Sequence, residues 1–214
     1  MARLWSMLLL FTLAGCVKIV TIVPLDDQRR VVSDAQVTAD GRDVGVGVTD
    51  VEVLHGSLRV SVAAGPQWLP GTAVLDDASP SRLEVMLRPN DLYLTTTEDR
   101  NQVVNQWINI TIAGARRTTW WSTVVAAMSG ADFELEIMDA ASGFVRTAWR
   151  QRSYGPFVAR RRFTGNIVTQ DPLTWRIRYE VQYRQQGEED WRDYDRGFAD
   201  DLRVLQEIRA RTEQ

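Results

Sequence analysis

The sequence predicts a mainly β, α+β protein: a small N-terminal β-sandwich, then an antiparallel four-stranded sheet packed with two helices. Three observations predict it. Residues 33–90 are short β-branched segments separated by Gly, Pro and Asp-Gly turns. Residues 173–184 alternate apolar and polar side chains without a break. Two other stretches, 120–128 and about 195–211, repeat apolar residues at helical spacing. The chain of 214 residues is 44% hydrophobic and 25% charged, a globular composition with room for one large domain or two small ones. Its net charge of −3 supplies no global field for polyanions, so nucleic acid is not an expected partner.

Residues 1–15 have the layout of an export signal. Met1-Ala2-Arg3 is a short positive region, the stretch from Leu4 to Leu13 is apolar, and Ala14-Gly15 is a small-residue cleavage site. Such a run is too short for a bilayer core, which takes roughly 20 apolar residues. Leu13-Ala14-Gly15-Cys16 resembles the lipobox of bacterial lipoproteins. The resemblance implies that Cys16 is acylated and becomes the new N-terminus, each buried CH₂ contributing about 0.8 kcal/mol of anchoring. Cys16 is the only cysteine, so no intramolecular disulfide competes for it. Val17, not Asp, follows it. In the resembled class this implies the outer membrane, facing the periplasm, with the outer face of the plasma membrane or the cell surface as alternatives.

Residues 16–32 are read as the anchor followed by a tether or first strand, since 17–23 are rich in β-branched residues and Pro24 then interrupts them. From 33 to 90, segments 35–39, 44–49, 51–54, 58–62 and 82–87 read as strands. Asp40-Gly41 and His55-Gly56 read as turns between them. The order of Val37, Asp40, Gly41, Val44, Gly45, Val51, Val53, Gly56, Leu58, Val60 and Val62 resembles the PEGA domain, a small β-sandwich of bacterial envelope proteins. His55 stands where that family has Pro, and the closing Gly-aromatic step is absent. The resemblance implies a binding or spacer module and carries no catalytic residues.

Residues 91–214 form the second module. Thr119 is placed to cap a helix over 120–128, with Trp121, Val124, Val125 and Met128 on its apolar face and Ser129-Gly130 as its stop. Strands follow at 133–137, 144–151, 161–169 and 173–184. In the last, Leu173, Trp175, Ile177, Tyr179, Val181 and Tyr183 are expected in the core. Phe198, Leu202, Leu205 and Ile208 form the stripe of the final helix, acids leading and arginines trailing as its dipole favours. This order resembles the helix-grip domains of accessory lipoproteins in the β-barrel assembly complex, by topology alone.

Catalytic sets are poorly supplied. His55 is the only histidine, which leaves no His-rich metal site and no His-dependent triad. Carboxylate pairs such as Asp26-Asp27, Asp76-Asp77, Glu98-Asp99 and Asp200-Asp201 are adjacent in sequence, whereas glycoside hydrolysis needs two carboxylates roughly 5–9 Å apart across a cleft. No cofactor is expected beyond the covalent lipid on Cys16. The strongest charge pattern is the acid-free stretch 140–170, which holds Arg146, Arg150, Arg152, Arg160, Arg161 and Arg162. Strand alternation puts Arg146, Arg150 and Arg152 on one face, opposite Val145, Thr147 and Trp149. Such a patch suits lipid phosphates, anionic head groups or acidic partner loops. Alternatively, Glu134, Glu136 and Glu180 on neighbouring strands neutralise it. Trp107, in a polar stretch, is the tryptophan expected at the surface. The expected function is a non-enzymatic, membrane-anchored factor for partner binding or envelope assembly. A lipid- or glycan-binding module using the arginine patch is the alternative, and an envelope hydrolase the third reading.

Overall fold

The computed structural model describes residues 17–54 and 56–213, so Cys16, the expected lipidation residue, and the single histidine His55 lie outside the described residues. The fold is mainly β, with several antiparallel sheets and three α-helices. The chain divides into two compact units, Met1–Pro89 and Asn90–Gln214.

The first unit holds β1 (Lys18–Leu25), β2 (Gln36–Ala39), β3 (Arg42–Val46), β4 (Thr49–Val53), β5 (Leu58–Ala63), β6 (Trp68–Leu69), β7 (Gly71–Leu75), β8 (Arg82–Met86) and β9 (Arg88–Pro89). Its sheets run β4-β1-β8, β3-β2-β5-β7 and β6-β9. Val20, Ile22, Val37, Val51, Val60 and Val62, from both larger sheets, share one buried cluster. Asp40 and Gly41 both take positive φ, +46° and +79°, which is the backbone a two-residue hairpin between β2 and β3 requires. Pro24 does not end β1. Pairing with β4 stops at Ile22, so the missing N–H of Pro24 leaves no ladder bond unmade on that side. On the other side β1 runs parallel to β8, with Pro24 opposite Val85.

The second unit holds α1 (Asp91–Thr95), β10 (Thr97–Glu98), β11 (Trp107–Thr111), α2 (Trp120–Gly130), β12 (Leu135–Asp139), β13 (Phe144–Thr147), β14 (Arg150–Tyr154), β15 (Phe157–Gln170), β16 (Leu173–Gln185), β17 (Arg192–Asp193), β18 (Arg196–Gly197) and α3 (Ala199–Thr212). Seven strands, not four, make one antiparallel sheet along β11-β16-β15-β13-β12, with β14 also on β15 and β17 also on β16. The extra strands have local causes. The expected strand 144–151 is two strands separated by Ala148 and Trp149, and β15 starts at Phe157 despite its three consecutive arginines. β11 joins the far edge of β16, where the side chain of Asn105 bonds the backbone at both the N–H and C=O of Val181.

The alternation of β16 is realised as far as Val181: Leu173, Trp175, Ile177, Tyr179 and Val181 are buried, while Tyr183 is only part-buried. They share a core with Trp120, Val124 and Met128 of α2 and with Val204, Leu205 and Ile208 of α3. The opposite, outer face of the sheet carries the polar residues. In α2 the buried residues are Trp120, Val124, Ala127 and Met128, so the packed face is turned from the expected one. Thr119 occupies the cap position without a side-chain cap bond; its carbonyl instead accepts from Ser122 Oγ at 2.8 Å and Thr123 Oγ1 at 3.0 Å. The helix also runs through Ser129-Gly130. α3 begins at Ala199, later than expected, because Arg196–Gly197 pairs with Thr97–Glu98 as a short ladder. No described helix is long and apolar enough to cross a membrane.

Candidate functional site

The six arginines of the acid-free stretch do not form one patch; they divide between the two faces of the sheet. Arg146 stands opposite Thr164 on β15, whereas Arg150 stands opposite Arg161. Four residues on one side thus span three on the other, the count of a β-bulge. The surplus residue lies within Ala148–Trp149, between β13 and β14. Because side chains alternate, it inverts every following position. Arg146, Arg160 and Arg162 therefore belong to the outer face, and Arg150, Arg152 and Arg161 to the helix side. The expectation that Arg146 shares a face with Arg150 and Arg152 is overturned by this bulge.

On the outer face the guanidinium groups stack on tryptophans. Arg162 lies 4.2 Å from the centroid of Trp149, and Arg160 lies 4.3 Å from Trp149 and 4.1 Å from Trp191. Arg184 follows, 4.8 Å from Trp191. The result is an alternating ladder: Arg162, Trp149, Arg160, Trp191, Arg184. A separate pair, Arg176 over Trp107 at 4.4 Å, sits further along β16, and Trp107 is 42% exposed as expected. Such contacts contribute about 0.5–1 kcal/mol each at exposed sites. A guanidinium seated over a ring keeps its in-plane N–H groups for oxygen acceptors.

Carboxylates neutralise only part of this face. Glu136 takes Arg146 at 3.0 Å, and Glu180 takes Arg162 at 2.7 Å and approaches Arg178 at 4.0 Å. Arg160 instead donates twice to Gln182 Oε1, at 2.9 and 2.7 Å, and Arg176 donates to Asn166 Oδ1 at 2.9 Å. Arg184 reaches the carbonyl of Glu188 at 3.0 Å. The Nε atoms of Arg178 and Arg184 are buried without a hydrogen-bond partner. Burial first, then the neighbouring Arg162 and Arg184, pulls Arg160 below the ordinary guanidinium range. The sequence showed Arg176, Arg178 and Arg184 alternating along 173–184, but only the pairing of β15 with β16 makes them one surface with Arg160 and Arg162.

The helix side holds a different arrangement. Asp201, in the first turn of α3, is 1% exposed. Its Oδ2 accepts from the Tyr179 hydroxyl at 2.6 Å and lies 2.6 Å from Arg161 Nε, an ionic contact outside aligned hydrogen-bond geometry. The Arg161 guanidinium also covers the Phe198 ring at 4.0 Å. Burial pushes the Asp201 carboxyl above its ordinary range, opposed by Arg161, Tyr179 and Arg150. Burial and the Asp201 charge push the Tyr179 hydroxyl well above its own. A cavity of about 580 Å³ opens beside this group, between α2, α3 and the paired strands β14 and β15. Arg150 and Arg152 border it.

Among the described residues no group of three or more His, Cys, Asp or Glu side chains is placed to hold a metal ion. No protein-family model matches the chain, and no curated protein matches it significantly.

Proposed function

We propose that this chain is a lipid-anchored, non-enzymatic binding protein of the bacterial envelope, and that the outer face of its C-terminal sheet engages an acidic segment of a protein partner. The ladder Arg162, Trp149, Arg160, Trp191, Arg184 carries this reading. Arg160, Arg176 and Arg184 have oxygen contacts to an amide or a carbonyl but no ion pair with a described carboxylate, and Asp193 reaches Arg160 only through the Gln182 amide, so the face keeps more guanidinium groups than ion-paired acids within a net-negative chain. Alternate residues of an extended strand are roughly 6.6 Å apart. An extended acidic segment laid along β15 presents its carboxylates at the same period as Arg160 and Arg162. Trp149 and Trp191 each already carry two guanidinium groups, so a sugar ring stacking there competes with them.

Leu13-Ala14-Gly15-Cys16 supports anchoring through Cys16, with the periplasmic side of the outer membrane as the preferred location. The first unit, with its shared cluster from two small sheets, is read as a PEGA-like sandwich serving as a spacer between anchor and binding face. The test is crosslinking in intact cells, comparing the wild type with Arg160→Glu combined with Arg184→Glu. A protein partner recovered with the wild type and lost with the variant supports the reading. A partner profile unchanged by the two substitutions overturns this face as the docking surface. Turnover of an envelope substrate by the purified protein overturns the non-enzymatic assignment. The Cys16→Ser variant separates anchoring from docking: it should shift the protein off the membrane without altering which partner its face selects.

A further inference from the structure

We infer that the cavity between α2, α3 and the β14–β15 pair binds a small organic anion, a carboxylate or phosphate monoester with an aliphatic body, whose charged end lies between Arg150 and Arg152. The inference is independent of the outer-face reading, because bulge and alternation put these two arginines on the helix side.

The distribution of charge around the cavity carries it. Arg150 and Arg161 stand directly opposite on adjacent strands, a placement that like charges resist unless they share an anion. Asp201 supplies one, but it is committed to Arg161 and Tyr179 and is buried. Of the other acids lining it, Asp200 approaches Arg203 at 3.5 Å at the exposed rim, Glu207 pairs with Arg211 at 2.8 Å, and Asp132 stands exposed just after α2. Arg150 donates to the carbonyl of Ala131 at 3.1 Å and lies 5.8 Å from the Phe133 ring, and Arg152 lies 5.6 Å from the Tyr154 ring. Both are exposed and neither forms an ion pair with a described carboxylate, although Arg150 acts on the Asp201 charge from a distance, so two guanidinium groups two residues apart retain donors for an oxyanion. The lining is mainly polar, with a smaller apolar part formed by Ala126, Ala127, Ala131 and Val204. A volume of about 580 Å³ is that of an ordinary small-molecule site. Cationic end and apolar part together select an anion with a short aliphatic portion over a bare inorganic ion.

The test is calorimetric titration of the purified protein with hexanoate, hexyl phosphate and inorganic phosphate. Saturable binding of one of the two alkyl anions, tighter than that of inorganic phosphate, is the expected result, and which of them binds identifies the head group. Arg150→Gln with Arg152→Gln should weaken it at least about tenfold, as loss of charge-assisted hydrogen bonds does. Ala126→Trp, at an exposed position of α2, should block it by filling the cavity, with the unfolding midpoint reporting that the fold is retained. Arg160→Glu with Arg184→Glu, on the other face, should leave it unchanged. Absence of saturable binding by all three probes, or equal binding by the wild type and the Arg150→Gln/Arg152→Gln protein, overturns the inference.

Discussion

The hydroxyl of Tyr179 donates to the carboxylate of Asp201 at 2.6 Å, joining the middle of β16 to the first turn of α3. Arg161 completes the group from β15, so the two longest strands and the last helix meet at one buried charge. Removing one partner of a buried ion pair leaves the other charged and unmatched, which costs about 3–5 kcal/mol. Asp201→Ala should therefore destabilise the second unit by about that amount in urea unfolding, while Tyr179→Phe, which removes one hydrogen bond to a charged group, should cost about 1.5–3 kcal/mol. A loss below about 1 kcal/mol for Asp201→Ala would show that the group contributes little net stability.

Gly165 gives a steric prediction. A Cβ there would overlap the six-membered ring of Trp175 and lie 3.0 Å from the carbonyl oxygen of Arg176, and Trp175 is wholly buried. The ring cannot retreat, since its Nε1–H donates to the Gly143 carbonyl at 2.9 Å and it packs against Trp120. Gly165→Ala should cost about 1–3 kcal/mol through overpacking. Thermal unfolding followed by tryptophan fluorescence reads this directly, and an unchanged midpoint counts against the packing described.

The outer ladder can be taken apart from the middle. Trp149→Ala removes the stacking partner of both Arg160 and Arg162, for about 1–2 kcal/mol if the two contacts add. A double-mutant cycle between Trp149→Ala and Arg160→Ala should give a coupling of about 0.5–1 kcal/mol. Coupling indistinguishable from zero would mean that the stack is geometric coincidence.

Asp26 sets an acid limit for the first unit. Its carboxylate accepts from the backbone N–H of Arg30 at 2.8 Å, from Arg30 Nε at 2.8 Å and from the Gln28 N–H at 2.9 Å. The Arg30 backbone bond, ahead of the opposing desolvation, holds the Asp26 carboxyl below its ordinary range. A carboxyl with a lowered native pKa contributes stability above its unfolded pKa and loses it as pH falls through the native one. Urea melts at descending pH should show that loss in the wild type and a smaller one in Asp26→Asn. Identical acid profiles would refute the linkage.

Which parts of this were readable from sequence follows from how local their causes are. The alternation of 173–184 was legible because one face of β16 is core along nearly its whole length, and period two survives any choice of neighbours. The hairpin at Asp40-Gly41 was legible because its cause is the backbone of two residues. The division of the arginines was not, since it depends on which residues pair across β14 and β15. In sequence Asp201 looks like solvated charge beside Asp200, yet it falls in step with Val204, Leu205, Ile208 and Thr212 on the buried side of α3. That helical spacing was the available signal, and residue polarity concealed it. β15 begins at Phe157, before the expected start at 161, for a similar reason: Arg160, Arg161 and Arg162 look like a solvated run until contact with Trp149, Trp191 and Phe198 absorbs them.

The surplus residue at Ala148–Trp149 makes chain length as consequential as composition in this segment. A loss of three nucleotides that removed Ala148, with β14 kept in phase with β13, would remove no side chain larger than a methyl. It would nevertheless carry Arg150 and Arg152 to the ladder side and expose Tyr154. One codon thus governs the allotment of cations between two surfaces, and insertions or deletions here should be tolerated far less well than substitutions of Ala148 itself.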